Sequence, residues 1–207
     1  MLEFRSNTYS FMAQRSEPKT SNDDFPTPPW ATRALMEYVL SGQDTRRQTC
    51  LEPACGRGYM SETLKEYFKK VLSSDIKDYG YGKVDDFLGQ KNFRNIDWVI
   101  TNPPFKHAEA FITNGLSFAN IGVAVLVRTV FIESIGRYIR LFSKRPPNVI
   151  AQFSERVPIV RGKIDPKASS ATGYAWLIWQ KKQKACAKVV WIPPCRRNLE
   201  YEYDYPR

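Results

Sequence analysis

The 207-residue chain contains a single histidine, His107. That excludes a site built from several histidines and catalysis by a histidine pair. Cysteine is also scarce. Cys50, Cys55, Cys186 and Cys195 form no C-x-x-C pair, which argues against a zinc ribbon and, at this length and density, against a secreted disulfide scaffold. They read as four reduced thiols of a cytoplasmic protein, and no metal is expected. No apolar stretch approaches the ~20 residues of a membrane span, and the N-terminal stretch lacks the apolar core of a signal peptide. Acidic side chains are outnumbered: 21 Asp and Glu against 31 Lys and Arg leave a net charge of +10. Such a balance points to a polyanionic partner, most often nucleic acid.

What is present suffices for one domain with a real core, since 43% of residues are hydrophobic and 14% aromatic. Residues 1–24 are polar and aperiodic and read as a mobile arm. The catalytic domain is expected over 25–193, and a tail over 194–207 is expected to fold back on the sheet edge. Pro26-Thr27-Pro28-Pro29 leads into a short amphipathic helix over 32–40, ended by Ser41-Gly42. From Thr49 the pattern alternates. Strands are expected at 49–54, 71–76, a short stretch ending at Asp85-Asp86, 96–101, 122–127, 148–153 and 174–179, with 188–192 as a possible added edge strand. Helices are expected at 59–70, 107–119 and 131–142. Alternation of this kind predicts an α/β fold with a parallel sheet and helices on both faces. Ligands then bind at the carboxyl ends of the strands, near the topological switch point.

The strand tips carry the chemistry. The first strand runs into Leu51-Glu52-Pro53-Ala54-Cys55-Gly56-Arg57-Gly58. This turn lacks the third glycine of a dinucleotide fingerprint and the Gly-Lys-Ser/Thr of a phosphate loop. Glu52 would repel a pyrophosphate but attract a cationic amino group. Asp75, at the second tip, suits a pair of ribose hydroxyls. Asp86 could accept from an adenine amine while Phe87 packs on the ring.

The fourth tip, Asn102-Pro103-Pro104-Phe105, is the sharpest feature. An exocyclic amine on an aromatic ring is a poor nucleophile because its lone pair is delocalised. Two acceptors aimed at its N–H groups, the Asn102 side-chain carbonyl and the Pro103 backbone carbonyl, would release that lone pair. Proline holds the acceptors rigid, and Phe105 offers a face to a planar base.

With these residues in place, the sequence resembles the class I S-adenosylmethionine-dependent methyltransferases, and within them the N6-adenine enzymes whose motif order is that of the gamma class. The matching residues are Thr27-Pro28-Pro29, Leu51 to Gly58, Asp75, Asp86-Phe87 and Asn102 to Phe105. The resemblance implies a Rossmann-like, seven-stranded, mostly parallel sheet whose last core strand is antiparallel, with S-adenosylmethionine as cofactor. It further implies that Thr27, Pro28 and Trp30 border the methionine end of the cofactor, which Glu52, Ala54 and Gly56 hold. Asp75 would bind the ribose, Ile76 would pack on the adenine, and Asp86 and Phe87 would complete that pocket. Asn102, Pro103, Pro104 and Phe105 would present the target amine.

The chain departs from the family in having little beyond the catalytic domain where a separate target-recognition domain is usual. The basic loop over 155–167, with Arg161, Lys163 and Lys167, is the internal candidate for phosphate contact. Methylation of adenine N6 in DNA is the leading expectation. RNA adenine methylation, protein-glutamine methylation and a non-catalytic nucleic-acid-binding module remain open. The Trp176, Trp179 and Trp191 group reads as core and edge packing, and His107 as a surface or capping residue.

Overall fold

The computed structural model describes residues 24–90, 93–182 and 187–205; the arm over 1–23 and Cys186 lie outside them. Proline at the first helical position opens α1 (Pro29–Tyr38), because its missing N–H and fixed φ suit a helix start. The helix thus begins three residues before the apolar periodicity does. Strand β1 (Thr49–Glu52) is followed by α2 (Tyr59–Lys65), β2 (Lys70–Asp75) and a two-residue β3 (Lys83–Val84). Then come β4 (Trp98–Thr101), α3 (Ala108–Phe118), β5 (Gly122–Arg128), β6 (Val149–Phe153), β7 (Tyr174–Gln180) and β8 (Lys188–Ile192).

The eight strands form one sheet in the order β3-β2-β1-β4-β5-β7-β6-β8. The pairs from β3 to β5 are parallel, and β7 is antiparallel to both β5 and β6. The expected seven-stranded arrangement is therefore present, with β8 added at the edge parallel to β6. From β1 the chain winds to β2 and β3 on one side and returns to β4 and β5 on the other. The connections that leave the neighbouring tips of β1 and β4 consequently diverge and leave a crevice above them.

Each face of the sheet has its own core. Trp30, Leu35, Leu64, Trp98 and Trp176 fill one, and Ile112, Val123, Val125 and Leu177 fill the other. Trp176 and Trp179 are buried as expected, while Trp191 on β8 stands 68% exposed. Among the described residues no helix is long and apolar enough to cross a membrane.

Three local expectations need correction. The helix expected over 59–70 stops at Lys65, because pairing of Lys70 with Thr49 demands extended backbone from there on. The helix expected over 131–142 breaks up. Ser134 is extended and caps a three-residue turn, α4 (Ile135–Arg137), and a π-helical turn follows over Tyr138–Phe142. The tail folds onto α1 rather than onto the sheet edge. There, beyond α5 (Arg196–Leu199), Arg33 is buried and makes two hydrogen bonds to Asp204, both 2.8 Å, and two to Glu66, at 2.9 and 2.6 Å. It also donates to the Leu199 carbonyl at 2.8 Å and stacks 4.3 Å from the Tyr201 ring. Burial alone would lower the pKa of this guanidinium; the bonds to Glu66 and Asp204 outweigh that and hold it charged.

Candidate active site

A cavity of about 300 Å³ opens where the tips of β1, β2 and β4 meet. Glu52 and Asp75 stand at the tips of β1 and β2, Ala54 and Gly56 in the turn after β1, and Asn102 just beyond β4. Thr27 closes the cavity from the segment that enters α1, and Ile76 and Pro104 also line it.

The turn after β1 explains itself locally. Gly56 has φ +49° and Gly58 φ +87°, values that side chains with a Cβ rarely adopt. At Gly58 a Cβ would lie 2.5 Å from the Tyr81 ring. The turn can therefore pass beneath Tyr81 only with glycine there. Gly56 N donates to Asp75 Oδ2 at 2.9 Å, and Lys77 N donates to Asp75 Oδ1 at 3.1 Å. These bonds fix the carboxylate at the β2 tip, and each oxygen can accept a further donor.

Glu52 is 2% exposed. It accepts a short hydrogen bond from Ser61, which is itself 2.6 Å from the Ser73 hydroxyl. Burial raises its pKa to about 8; the Ser61 bonds oppose that shift, and the nearby Asp75 adds to it. Burial and the neighbouring acids Glu52 and Asp75 likewise push the Cys55 thiol up to about 12, so Cys55 is an inert packing group.

Asn102 donates one amide proton to the Phe25 carbonyl at 3.0 Å and offers Nδ2 to Thr27 Oγ1 at 3.1 Å. With both amide protons committed, Asn102 can meet a ligand only as an acceptor, through Oδ1. The loop is closed by His107 N donating to the Pro104 carbonyl at 2.8 Å, which starts α3. Phe105 lies 5.6 Å from Phe25, and the Arg128 guanidinium sits 3.9 Å over its ring.

Several expected site residues lie elsewhere. Pro28 and Trp30 do not line the cavity. Helical phase turns Trp30 inward, fully buried and edge-on to Phe153 at 5.7 Å. Asp86 and Phe87 are also outside it. β3 ends at Val84, so Asp86 falls in the following turn and accepts from Leu88 N at 3.0 Å. Phe87 joins the core against Phe93, Phe111 and Phe118. Pro103 is buried beside the lining. The basic loop reaches the cavity rim through Gly162 N, which donates to the Asp24 carbonyl at 2.8 Å. On it, Lys163 pairs with Asp165 at 2.9 Å, and Arg161 and Lys167 are exposed.

Sequence reasoning missed Phe25, Tyr59, Lys106 and the cavity-lining position of His107. It also missed Arg128. The rule that found Asp75, a polar residue at a strand tip, would have found Arg128 at the tip of β5.

The residues present suit S-adenosylmethionine. A buried acid facing a second acid favours a cationic ligand group, Asp75 can take hydroxyl donors, and Ile76 leaves apolar surface at the rim.

No family model matches this chain, and no curated protein matches it. Solved structures do. A protein from Vibrio vulnificus YJ016 assigned as the modification subunit of a type I restriction enzyme is 15% identical, with a TM-score of 0.60 over 89% of this chain and 50% of that one. A Pyrococcus horikoshii protein assigned as an RNA methyltransferase is 18% identical, with a TM-score of 0.60 over 80% and 89%. A dimethyladenosine transferase from Plasmodium falciparum is 17% identical, with a TM-score of 0.50 over 75% and 62%. The chain thus spans half the length of the Vibrio subunit. These likenesses show the fold, a Rossmann-like, mostly parallel α/β sheet with β7 antiparallel.

Proposed function

We propose that the chain is an S-adenosylmethionine-dependent methyltransferase acting on the exocyclic N6 amine of adenine in DNA. The observation that carries this reading is Asn102, restricted to the role of acceptor, lining the same cavity as the buried acid Glu52.

Glu52, Ala54, Gly56, Asp75 and Thr27 would hold the cofactor, which supplies an electrophilic methyl group when bound. The chain's own residues then act on the amine. Asn102 Oδ1 and the Pro103 carbonyl accept its two N–H bonds and draw the nitrogen lone pair out of the ring. Phe105, whose ring is covered by the Arg128 guanidinium at 3.9 Å, does not line the cavity, and the plane it offers a base beside them is that of the stacked guanidinium. Within a duplex the adenine must leave the stack to reach Asn102, so mismatched and single-stranded sites should react faster. The net charge of +10 and the loop bearing Arg161, Lys163 and Lys167 favour a polyanionic substrate.

The restriction-modification assignment of the Vibrio neighbour favours DNA. RNA is the second reading, favoured by the Pyrococcus neighbour, which matches over nearly its whole length. Transfer from tritiated S-adenosylmethionine to DNA, RNA and protein in parallel, followed by nuclease digestion, separates them. Label in N6-methyladenosine from RNA alone overturns the DNA assignment, and label in protein alone overturns both.

Glu52 makes cofactor binding pH-dependent. Burial pushes its carboxyl up to about 8, and a bound cation favours the ionised form. Affinity for S-adenosylmethionine is expected to rise from pH 6 to pH 8 by about tenfold or more, with one proton released per ligand at the lower pH. Calorimetry in buffers of different ionisation heat reads both quantities. Glu52→Gln should bind more weakly and lose the pH dependence. The stability of the ligand-free fold runs the other way. The folded pKa lies above the ordinary glutamate value, so this contribution is complete below about 4.5 and is lost as pH rises through about 8.

A further inference from the structure

The segment after β5 carries apolar side chains on both of its faces. Phe131, Leu141 and Phe142 point inward and pack in the core. On the outer face Val130 is 60% exposed, Ile135 83%, Tyr138 62% and Ile139 58%. Four of the twelve exposed large hydrophobic side chains among the described residues fall within these ten positions. Scattered exposed apolar residues need no explanation, but a contiguous group beside a site does.

Two contacts place this patch next to the candidate catalytic loop. The chain enters the segment from Arg128, whose guanidinium covers Phe105 at 3.9 Å. Arg140 makes two hydrogen bonds of 2.8 Å to Glu109, in the first turn of α3 directly after that loop. The charge is one-sided as well. Residues 128–145 contain Arg128, Arg137, Arg140, Lys144 and Arg145 against one acid, Glu133, a balance of 5 − 1 = +4. Interleaved cations and exposed apolar or aromatic groups make the surface that single-stranded nucleic acid uses, with bases stacked on side chains and phosphates near the cations. Arg140 is already paired with Glu109, but Lys144 and Arg145 are exposed, and a protein partner matched to the apolar groups alone would make no use of them.

We propose that residues 130–145 form the platform that holds the unpaired stretch of the substrate strand flanking the target base, with Ile135, Tyr138 and Ile139 packing against neighbouring bases. This inference rests on the nucleic-acid reading of the site and extends it to the flanking nucleotides. The grip would then be built into the connection between β5 and β6, beside the reacting loop.

The test uses the full chain and a fluorescein-labelled, adenine-containing single-stranded oligonucleotide. Anisotropy measures its affinity for wild type, Ile135→Ser, Tyr138→Ala and Tyr138→Phe, each also examined by thermal melting and by calorimetry with S-adenosylmethionine. Tyr138→Ala and Ile135→Ser are expected to weaken oligonucleotide binding about tenfold or more. Tyr138→Phe should bind within about twofold of wild type, because the aromatic face is retained. Melting temperature and cofactor affinity should not move. The slope of log affinity against log salt should also hold, since no phosphate contact is removed.

Unchanged affinity in Tyr138→Ala and Ile135→Ser overturns the proposal. So does wild type that binds no oligonucleotide, or a patch whose substitution abolishes self-association in sedimentation while oligonucleotide binding persists. Failure of the catalytic reading looks different. In that case wild type binds the strand, the platform variants bind it more weakly, and no label is transferred to any nucleic acid.

Discussion

Asn102→Ala is expected to lower the rate of methyl transfer about 10²–10³-fold, the range seen when one preorganised partner of a reacting group is deleted. Cofactor affinity should stay within a few-fold. The reason lies in how Asn102 is held. Its Nδ2 is committed to the Phe25 carbonyl at 3.0 Å and to Thr27 Oγ1 at 3.1 Å, so its acceptor oxygen is fixed before any substrate arrives. Alanine removes the acceptor together with its two anchors. Asn102→Asp should recover little. It restores an acceptor but sets a carboxylate oxygen against the Phe25 carbonyl, with no proton between them. Single-turnover transfer and calorimetry with S-adenosylmethionine separate the two quantities. A variant that retained transfer within fivefold of wild type would remove Asn102 from the reaction.

The second large effect is on stability. Arg33→Met should destabilise the fold by about 3–5 kcal/mol, the cost of leaving a buried ion without its partner. Arg33 and Asp204 have side chains 2% exposed each, so removal of the cation strands a buried carboxylate. Glu66, at 37%, can turn to water and contributes less. In urea the midpoint should fall with the slope unchanged, and the melting temperature should drop by about 10 °C. Adding Asp204→Asn to Arg33→Met should recover part of the loss, because the stranded charge is then gone. A double variant no more stable than Arg33→Met would show that stacking on Tyr201, and not charge, fastens the tail.

The sequence made the strand tips legible because apolar residues mark the body of each strand and an acid or amide follows at its carboxyl end. Glu52, Asp75 and Asn102 were readable in this way, and all three line one cavity. Asp86 failed the same rule because β3 is only two residues long, with no apolar run whose end could be marked. Phe87 failed because a phenylalanine after a strand suits a core as well as a pocket, and three neighbouring aromatic rings from distant parts of the chain decided for the core. Trp30 was misplaced by proximity to Thr27. Thr27 lies in the segment before α1, whereas Trp30 is in the first turn of the helix, fully buried against Phe153. The tail's attachment to Arg33 joins residues 171 positions apart, and no local pattern announces such a pair.

The sheet is uneven in build. On one side, β5 and β7 pair over seven residues each, nearly all buried; on the other, β2 is only partly covered and β3 contributes two exposed residues. Amide hydrogens should therefore exchange slowly in β5 and β7, near the rate set by global opening, and far faster around β2 and β3. The soft half is the one that carries Asp75 and Ile76. A molecule seated there would stiffen the part of the sheet with most freedom to lose, so the cost of ordering falls on occupation of the cavity, while the loop that carries Asn102 stays braced from the rigid half.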